Sequence, residues 1–561
     1  MGRRVRGGPA ARANDRSIEH RLDLEHGPRD NHRVQSRRSA VALAALALGV
    51  AFGLSTARAP GTNTPEGGTL RIAAVLDVDS LDPALATNAL SWAIEFGTCS
   101  NLMSFADAPA PLGDTVVPEA AAGLPNVSRD GRTYVFTVRP GLRFSDGSPL
   151  TADNFARALG RVLNPAMRSP GAGFFSDVKS VSGHGLRLRI ELDRPSGNLL
   201  TRLALPFACP VPLGFPVDPA GVPLMAGSGP YYVARYEPGS LLVVARNRHY
   251  GGTRPHHISS LVMTVDTNLD SDIRAVDTGQ ADVLGAELPF EMRDSLAQRY
   301  GVNKSRLFQI RGTFIYFLAL NTSRPLFRDN VALRKAVNDV LDRTEIVKAG
   351  PGWPLSQQPT DQILPSATAG WVDHHLYPLA GGNLALARGL AAGNLRGGKA
   401  VLYTSGVPFL VNQANVIARQ LSEIGLNVSV TPLAPATVDA VAGTRGAPYD
   451  MVLTRYNPLY PDPADVIVRL LDGANARGST GNTNFAYFDN PTYNRRIEAA
   501  DELSGDSRLR AFSLLDADIM RNAAPWAPLY EGSSWLFVSK RVGCLKLHPE
   551  FRLDLAAVCL R

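Results

Sequence analysis

The run from Asp130 to Leu163, DGRTYVFTVRPGLRFSDGSPLTADNFARALGRVL, leaves the backbone few choices. Tyr134, Phe136 and Val138 alternate with Val135 and Thr137, the period of two that gives a strand one buried face, and Pro140-Gly141 breaks the pattern. A short second strand is expected over residues 142–144. Asp146-Gly147 supplies a turn, because glycine accepts a positive φ and the aspartate side chain can accept a hydrogen bond from the backbone two residues on. Thr151 is placed to cap a helix, Asp153 puts a negative charge in its first turn, and Phe155, Ala158, Leu159, Val162 and Leu163 share one face. The unit is β-β-α with one apolar face to bury, and none of its side chains is arranged as a catalyst.

The order of these residues resembles the signature of the family 5 extracellular solute-binding proteins, the peptide, oligopeptide and nickel binders that feed ABC importers. GGTLRIA at residues 67–73 with SLDP at 80–83 resembles the opening of that family. GSGPYY at 227–232 is similar to its GTGPY element, and GQADVLGAEL at 279–288 to the segment that closes the first lobe's sheet. The resemblance covers nearly all of residues 67–561. It implies an α/β, two-lobed periplasmic-binding-protein-like fold (type II, cluster C-like), with mixed sheets flanked by helices and an extra small domain. The expected division is a leader over 1–59, lobe I over 60–102, 221–312 and 528–561, a small additional domain over 103–220, and lobe II over 313–527. At 561 residues the chain is too long for a single core, so several lobes are expected on size alone.

A net charge of +7 would suggest a nucleic-acid partner if it were spread over the body. It is not. Residues 1–38 hold ten Arg against five Asp or Glu, Arg58 adds one more, and everything from Pro60 onward carries only +1. No basic stripe with interleaved aromatics occurs there, which sets nucleic acid aside. Residues 39–57 are uncharged and rich in Ala, Leu and Val, preceded by Arg37-Arg38 and followed by Ala57-Arg58-Ala59: the n-region, h-region and small-x-small site of a secretory signal. Its nineteen residues also just reach the length of a membrane anchor. Ser36-Arg37-Arg38 hints at twin-arginine export, and the polar residues 1–33 leave room for a later start. With no cysteine before Cys99, no lipobox is present. The expectation is an exported protein of the cell envelope, periplasmic or extracellular.

An even number of cysteines in an exported chain reads as disulfides. Cys99, Cys209, Cys544 and Cys559 allow three connectivities, of which the short C-terminal loop between Cys544 and Cys559 favours the one that also joins Cys99 to Cys209. The last lobe alternates strand and helix, with strands over 400–403, 427–431 and 450–454 and a helix near 412–424, and so predicts a largely parallel sheet. Residues 313–321, TFIYFLALN, suit a strand buried on both faces, and Asp329 is placed to cap the helix carrying Leu333, Ala336, Val337, Val340 and Leu341. A late strand is expected over 534–539. In the family the chain crosses between lobes twice, and those crossings form a hinge.

No GxSxG, HExxH or EF-hand pattern occurs. GNLRGGK at 393–399 has the glycine and lysine spacing of a phosphate loop, but Ala400 stands where Ser or Thr should hold Mg²⁺ and a strand follows. The pairs His256-His257 and His374-His375 lack a third ligand nearby. Neither an enzyme, a cofactor nor a metal is expected. The resemblance places the ligand loops at Thr87, Asn88 and Ala89, after the SLDP segment, and at 456–465, YNPLYPDPAD. In peptide-binding relatives the second loop carries an Asp, four residues ahead of its second Pro, that pairs with the peptide's ammonium. Leu459 stands at that place here, and Asp462 or Asp465 could substitute from nearby, although turn and cap duty suits both. Tyr456, Asn457 and Asn484 are further cleft candidates.

The implied function is the extracytoplasmic solute-binding component of an ABC importer, a monomer that captures a small solute or short peptide between hinged lobes and hands it to a membrane permease. Leu459 favours a solute without a free amine: a blocked peptide, an oligosaccharide or an opine-like molecule. The other reading is an exported structural or chaperone-like protein on the same scaffold.

Overall fold

Two long strands, Leu307–Leu320 and Trp526–Phe537, run antiparallel to one another and link the two larger sheets. They pair from Leu307 opposite Phe537 to Ala319 opposite Trp526, and Val538 continues into a bridge with Val283 of the other sheet. The computed structural model describes residues 65–106, 115–222, 225–549 and 551–561; the leader expected over 1–59 lies outside the described residues.

The first sheet has five strands in the spatial order Val283–Leu284, Thr69–Ala74, Ser260–Val265, Leu241–Arg246, Tyr231–Glu237. Thr69–Ala74 is parallel to both of its neighbours, and the remaining pairs are antiparallel. The second sheet has six, in the order Gln357–Pro359, Trp526–Phe537, Leu307–Leu320, Met451–Tyr456, Lys399–Ser405, Asn427–Leu433. Only its last three strands are mutually parallel. The largely parallel sheet expected from the strand–helix alternation is therefore mixed, because the two linking strands enter it antiparallel.

The apolar run 313–321 is covered on both faces, as its composition implies. Ile315, Phe317 and Ala319 join the cluster of Ile467, Phe512 and Trp526, while Tyr316, Leu318 and Leu320 join that of Leu333, Val337 and Leu421. The helix beyond it is Val331–Val340, and its cap is Asn330, whose side chain accepts from Leu333 N at 3.3 Å. Asp329, expected in that role, has φ 49° and makes the turn instead.

The β-β-α unit contributes one strand to the small domain's four-stranded antiparallel sheet, together with the helix packed on it. Thr133–Thr137 is a strand, Asp146 accepts from Ser148 N at 2.9 Å with Gly147 at φ 85°, and the helix is Ala152–Val162. Asn154 Oδ1 accepts from Thr151 N at 2.8 Å, which closes the first turn. The strand expected over 142–144 is only an isolated bridge between Arg143 and Pro149, because the turn returns the chain at once, with Leu150 N donating to Leu142 O. The small domain shares its main core with the first lobe. Phe136, Phe155, Leu159 and Ile190 belong to one cluster with Leu70, Ile72 and Met263 of the five-stranded sheet. Cys99–Cys209 fastens the same junction, and Cys544–Cys559 closes the C-terminal loop.

An ion pair lies inside that shared core. Arg161, on the small-domain helix, meets Asp82 of the SLDP segment through two bonds of 3.0 and 2.6 Å, with 1% and 0% of the two side chains exposed. Asp82 also accepts from Ala84 N and Val222 N, and Arg161 Nε donates to Pro216 O, so the charges are saturated. Removing one partner leaves the other charge buried alone, which costs about 3–5 kcal/mol. Arg161→Leu should lower the free energy of unfolding by that amount in a denaturant titration; a loss below about 1 kcal/mol would show that the pair is peripheral to stability.

Candidate functional site

A cavity of about 970 Å³ opens where the linking strands meet the small domain, the second sheet's loops and the C-terminal loop. Leu200 and Thr201 come from the small domain, and Phe308, Gln309, Ile310 and Arg311 from the first linking strand. Ser366, Thr368, Trp371, Pro461 and Leu509 come from the second lobe, and Leu545 and Leu547 from the disulfide-closed loop. Apolar and neutral polar groups dominate this wall. Its charged members are Arg311, Asp462, Asp506, Arg508 and Lys546.

Local structure fixes several of these groups. Gly312 has φ 64°, and a Cβ there would lie 2.2 Å from Ser366 Oγ and 2.7 Å from Ala367 N, so only glycine lets the 366–371 loop approach the strand this closely. Ser366 donates from N and Oγ to the two oxygens of Glu531 at 2.8 and 2.7 Å. Burial holds the Glu531 carboxyl above its ordinary range. Arg508 grips Asp462 through bonds of 2.7 and 2.8 Å and also reaches Asp501 at 3.0 Å.

The residues singled out in the sequence do not converge on this cavity. Asp462 lines it, but its carboxylate is engaged by Arg508 and caps the helix Pro463–Leu471 through Ala464 N. Asn88 and Ala89 line a separate, mostly apolar cavity of about 430 Å³ in the first lobe, where Asn88 caps the helix Ala89–Thr98. Thr87 is exposed and bonds Asp79. Asn484, expected to face a cleft, is fully buried and engaged with Asp472 O, Phe488 O and Phe488 N. Asn457 is exposed and Leu459 half-buried, and neither lines these cavities; Leu459 packs against the first lobe's cluster. Tyr456 donates to Asp465 at 3.0 Å, and Leu459 N donates to the same oxygen at 2.5 Å. Asp465 thus ties the loop together from inside, and burial pushes its carboxyl up to about 6. Sequence reasoning missed Arg311 and the 366–371 loop, since a lone arginine ahead of an apolar strand and a loop of small residues give no periodic signal.

The loop 456–462 also joins the lobes. Tyr460, 4% exposed, enters the shared core of the first lobe and small domain, edge-on to Phe174 at 5.9 Å, with Asn198 Nδ2 3.3 Å from its hydroxyl. Beside it Gly197 N donates to Asp501 O at 2.8 Å, and a Cβ on Gly197 would stand 1.7 Å from Leu503 O. Between these contacts and the helix lies a further cavity of about 570 Å³, lined by Arg202, Tyr460, Asp465 and Arg469 among others.

The profile of the bacterial extracellular solute-binding proteins, family 5 Middle, matches residues 115–478. The Probable D,D-dipeptide-binding periplasmic protein DdpA of Escherichia coli (strain K12) is 23% identical over 505 residues, 86% of this chain and 92% of its own length. Protein XP55 of Streptomyces lividans is 28% identical over 315 residues, so the chain matches 55% of that protein's length. Among solved structures, the clavulanic acid biosynthesis oligopeptide binding protein 2 superposes with a TM-score of 0.79 at 26% identity, covering 89% of this chain and 96% of that one.

Two expectations follow from the geometry. Gly197→Ala, which forces a side chain into Leu503 O, and Tyr460→Ala, which empties the Phe174 contact, should each part the lobes and enlarge the radius of gyration in small-angle scattering. Unchanged curves for both would mean that this contact does not hold the lobes together. The raised Asp465 carboxyl binds its proton more tightly folded than unfolded. Its contribution is complete below about pH 4 and is lost as pH rises through about 6, roughly 3 kcal/mol in all. Denaturant titrations at pH 4 and 7 should show a drop in the wild type that Asp465→Asn lacks; equal drops in both proteins would reject this source of pH dependence.

Proposed function

The chain belongs to family 5 of the bacterial extracellular solute-binding proteins, and on that premise we propose that it captures one solute between its two lobes and delivers it to the membrane permease of an ABC importer. It is a binding protein rather than an enzyme. The observation that carries this reading is the cavity of about 970 Å³ walled by both lobes and by the strands that link them. Its size falls in the range of about 300–1,000 Å³ that encloses small organic ligands. Rotation about the two linking strands opens and closes it, and a solute drives closure only by binding the closed state more tightly.

A peptide-like solute is supported by the relatives, whose names describe D,D-dipeptide and oligopeptide binding. The chemistry of this chain narrows the choice. Leu459 cannot pair with an ammonium, Asp462 is held by Arg508, and Asp465 is closed off beneath the loop by Tyr456 and Leu459 N. A free amine buried there without a partner would cost several kcal/mol. Of the wall's acids only the exposed Asp506 is left to meet an amine. With no buried carboxylate on offer, the favoured solute is one whose amine is blocked or absent: an acylated or otherwise N-modified peptide first, an opine-like acid or an oligosaccharide second. Export to the cell envelope follows from the same reading, and among the described residues no helix is long and apolar enough to cross a membrane.

Native mass spectrometry of the protein purified from its own host, followed by denaturation, tests this directly. Release of an amine-free or amine-blocked solute in one-to-one ratio is the expected result. A mixture of short peptides with free amines would restore an ordinary peptide importer, and a protein with no bound or bindable solute would favour a structural role.

A further inference from the structure

Arg311 stands in the cavity wall at the first of two irregular places in the first linking strand. The register with Trp526–Phe537 shifts between Arg311 and Phe314, with Gly312 at a positive φ in between. Bulges of this kind re-aim a side chain and bend the strand. Here the bulge lets the 366–371 loop close in beside Arg311.

The arginine is held from behind. Gln309, 5% exposed, donates from Nε2 to Leu355 O at 2.6 Å and Ser533 Oγ at 3.0 Å, which leaves its Oε1 for Arg311 Nε at 3.4 Å. The Nη pair of the guanidinium is left over. Among the described residues no carboxylate lies within ion-pair distance of it. Glu531 is attracted weakly by Arg311, but its oxygens are both taken by Ser366 and its burial favours the neutral form. A planar guanidinium with one contact at Nε and its two Nη atoms open can receive a carboxylate bidentately. Phe308, Leu200, Leu545, Leu547 and Trp371 supply an apolar wall in the same cavity.

We infer that Arg311 is the specificity-determining residue of the cavity, receiving a carboxylate of an amphipathic solute whose apolar body lies along the leucine and tryptophan wall. The inference rests on the cavity being the solute site. It reverses the polarity of recognition: the solute is read through its acid rather than through an amine.

Calorimetric titration with N-acetyl-Ala-Leu-Ala as the free acid and as the C-terminal amide, against wild type, Arg311→Met and Arg311→Lys, tests it. Wild type should bind the acid at least tenfold more tightly than the amide. Arg311→Met should bind the acid about tenfold to a hundredfold more weakly and no longer distinguish the two, while Arg311→Lys recovers part of the difference. Melting curves without probe should be alike for all three proteins, since Arg311 is exposed to the cavity; if the Met variant fails to fold, the acid-to-amide ratio of wild type and the Lys variant decides alone. Equal binding of acid and amide to every protein would overturn the role of Arg311 and leave the cavity reading standing. Binding of neither probe to wild type would overturn both.

Discussion

The fold depends on the buried pair of Asp82 and Arg161. Two saturated charges with almost no exposure join the first loop after the opening strand to the helix of an inserted domain, inside one apolar cluster. A pair of this kind contributes less to net stability than its Coulomb attraction suggests, because both ions lose their water. Its effect is on specificity: a small domain docked anywhere else would leave both charges buried and unpaired. The Cys99–Cys209 bond reinforces the same junction from the far end of the adjoining helix. Two segments distant in sequence, SLDP and DGSPLTADNFARALGR, thus meet at a structural joint.

With the small domain and first lobe sharing one core, two long strands run between them and the second lobe. The linking strands are hydrogen-bonded to one another along their length, with register irregularities between Arg311 and Phe314 and again at Tyr316. The cavity sits at the first of these irregularities. The same bulge lets the 366–371 loop close on the strand and sets Arg311 in the cavity wall. Tyr460 and Gly197 close the opposite side by direct contact.

The loop at 456–465 shows how candidate acids can be taken up by the fold. Leu459 packs on the first lobe, and the acids that follow it are drawn into structure. Asp462 caps a helix and holds Arg508, and Asp465 holds the loop's own backbone. Each was visible in the sequence as a candidate, and so was its turn or cap duty. What separated the two readings was which neighbours the rest of the chain brought within hydrogen-bond distance.

The sequence by itself determined the elements and the family. Period-two and period-3.6 patterns, caps and breakers act over a few residues and do not need distant partners, so the β-β-α unit, the doubly buried strand at 313–321 and the strand–helix alternation of the last lobe were legible. Where they erred, at residues 142–144 and at Asp329, the deciding factor was a single local turn. The mixed order of the six-stranded sheet and the whole of the cavity were decided by tertiary structure. Gln309, Arg311, Ser366, Trp371, Leu200 and Leu545 come from segments with no common period. Their chemistry becomes a site only because a bulge, a glycine without room for a Cβ and two saturated charges place them around one space.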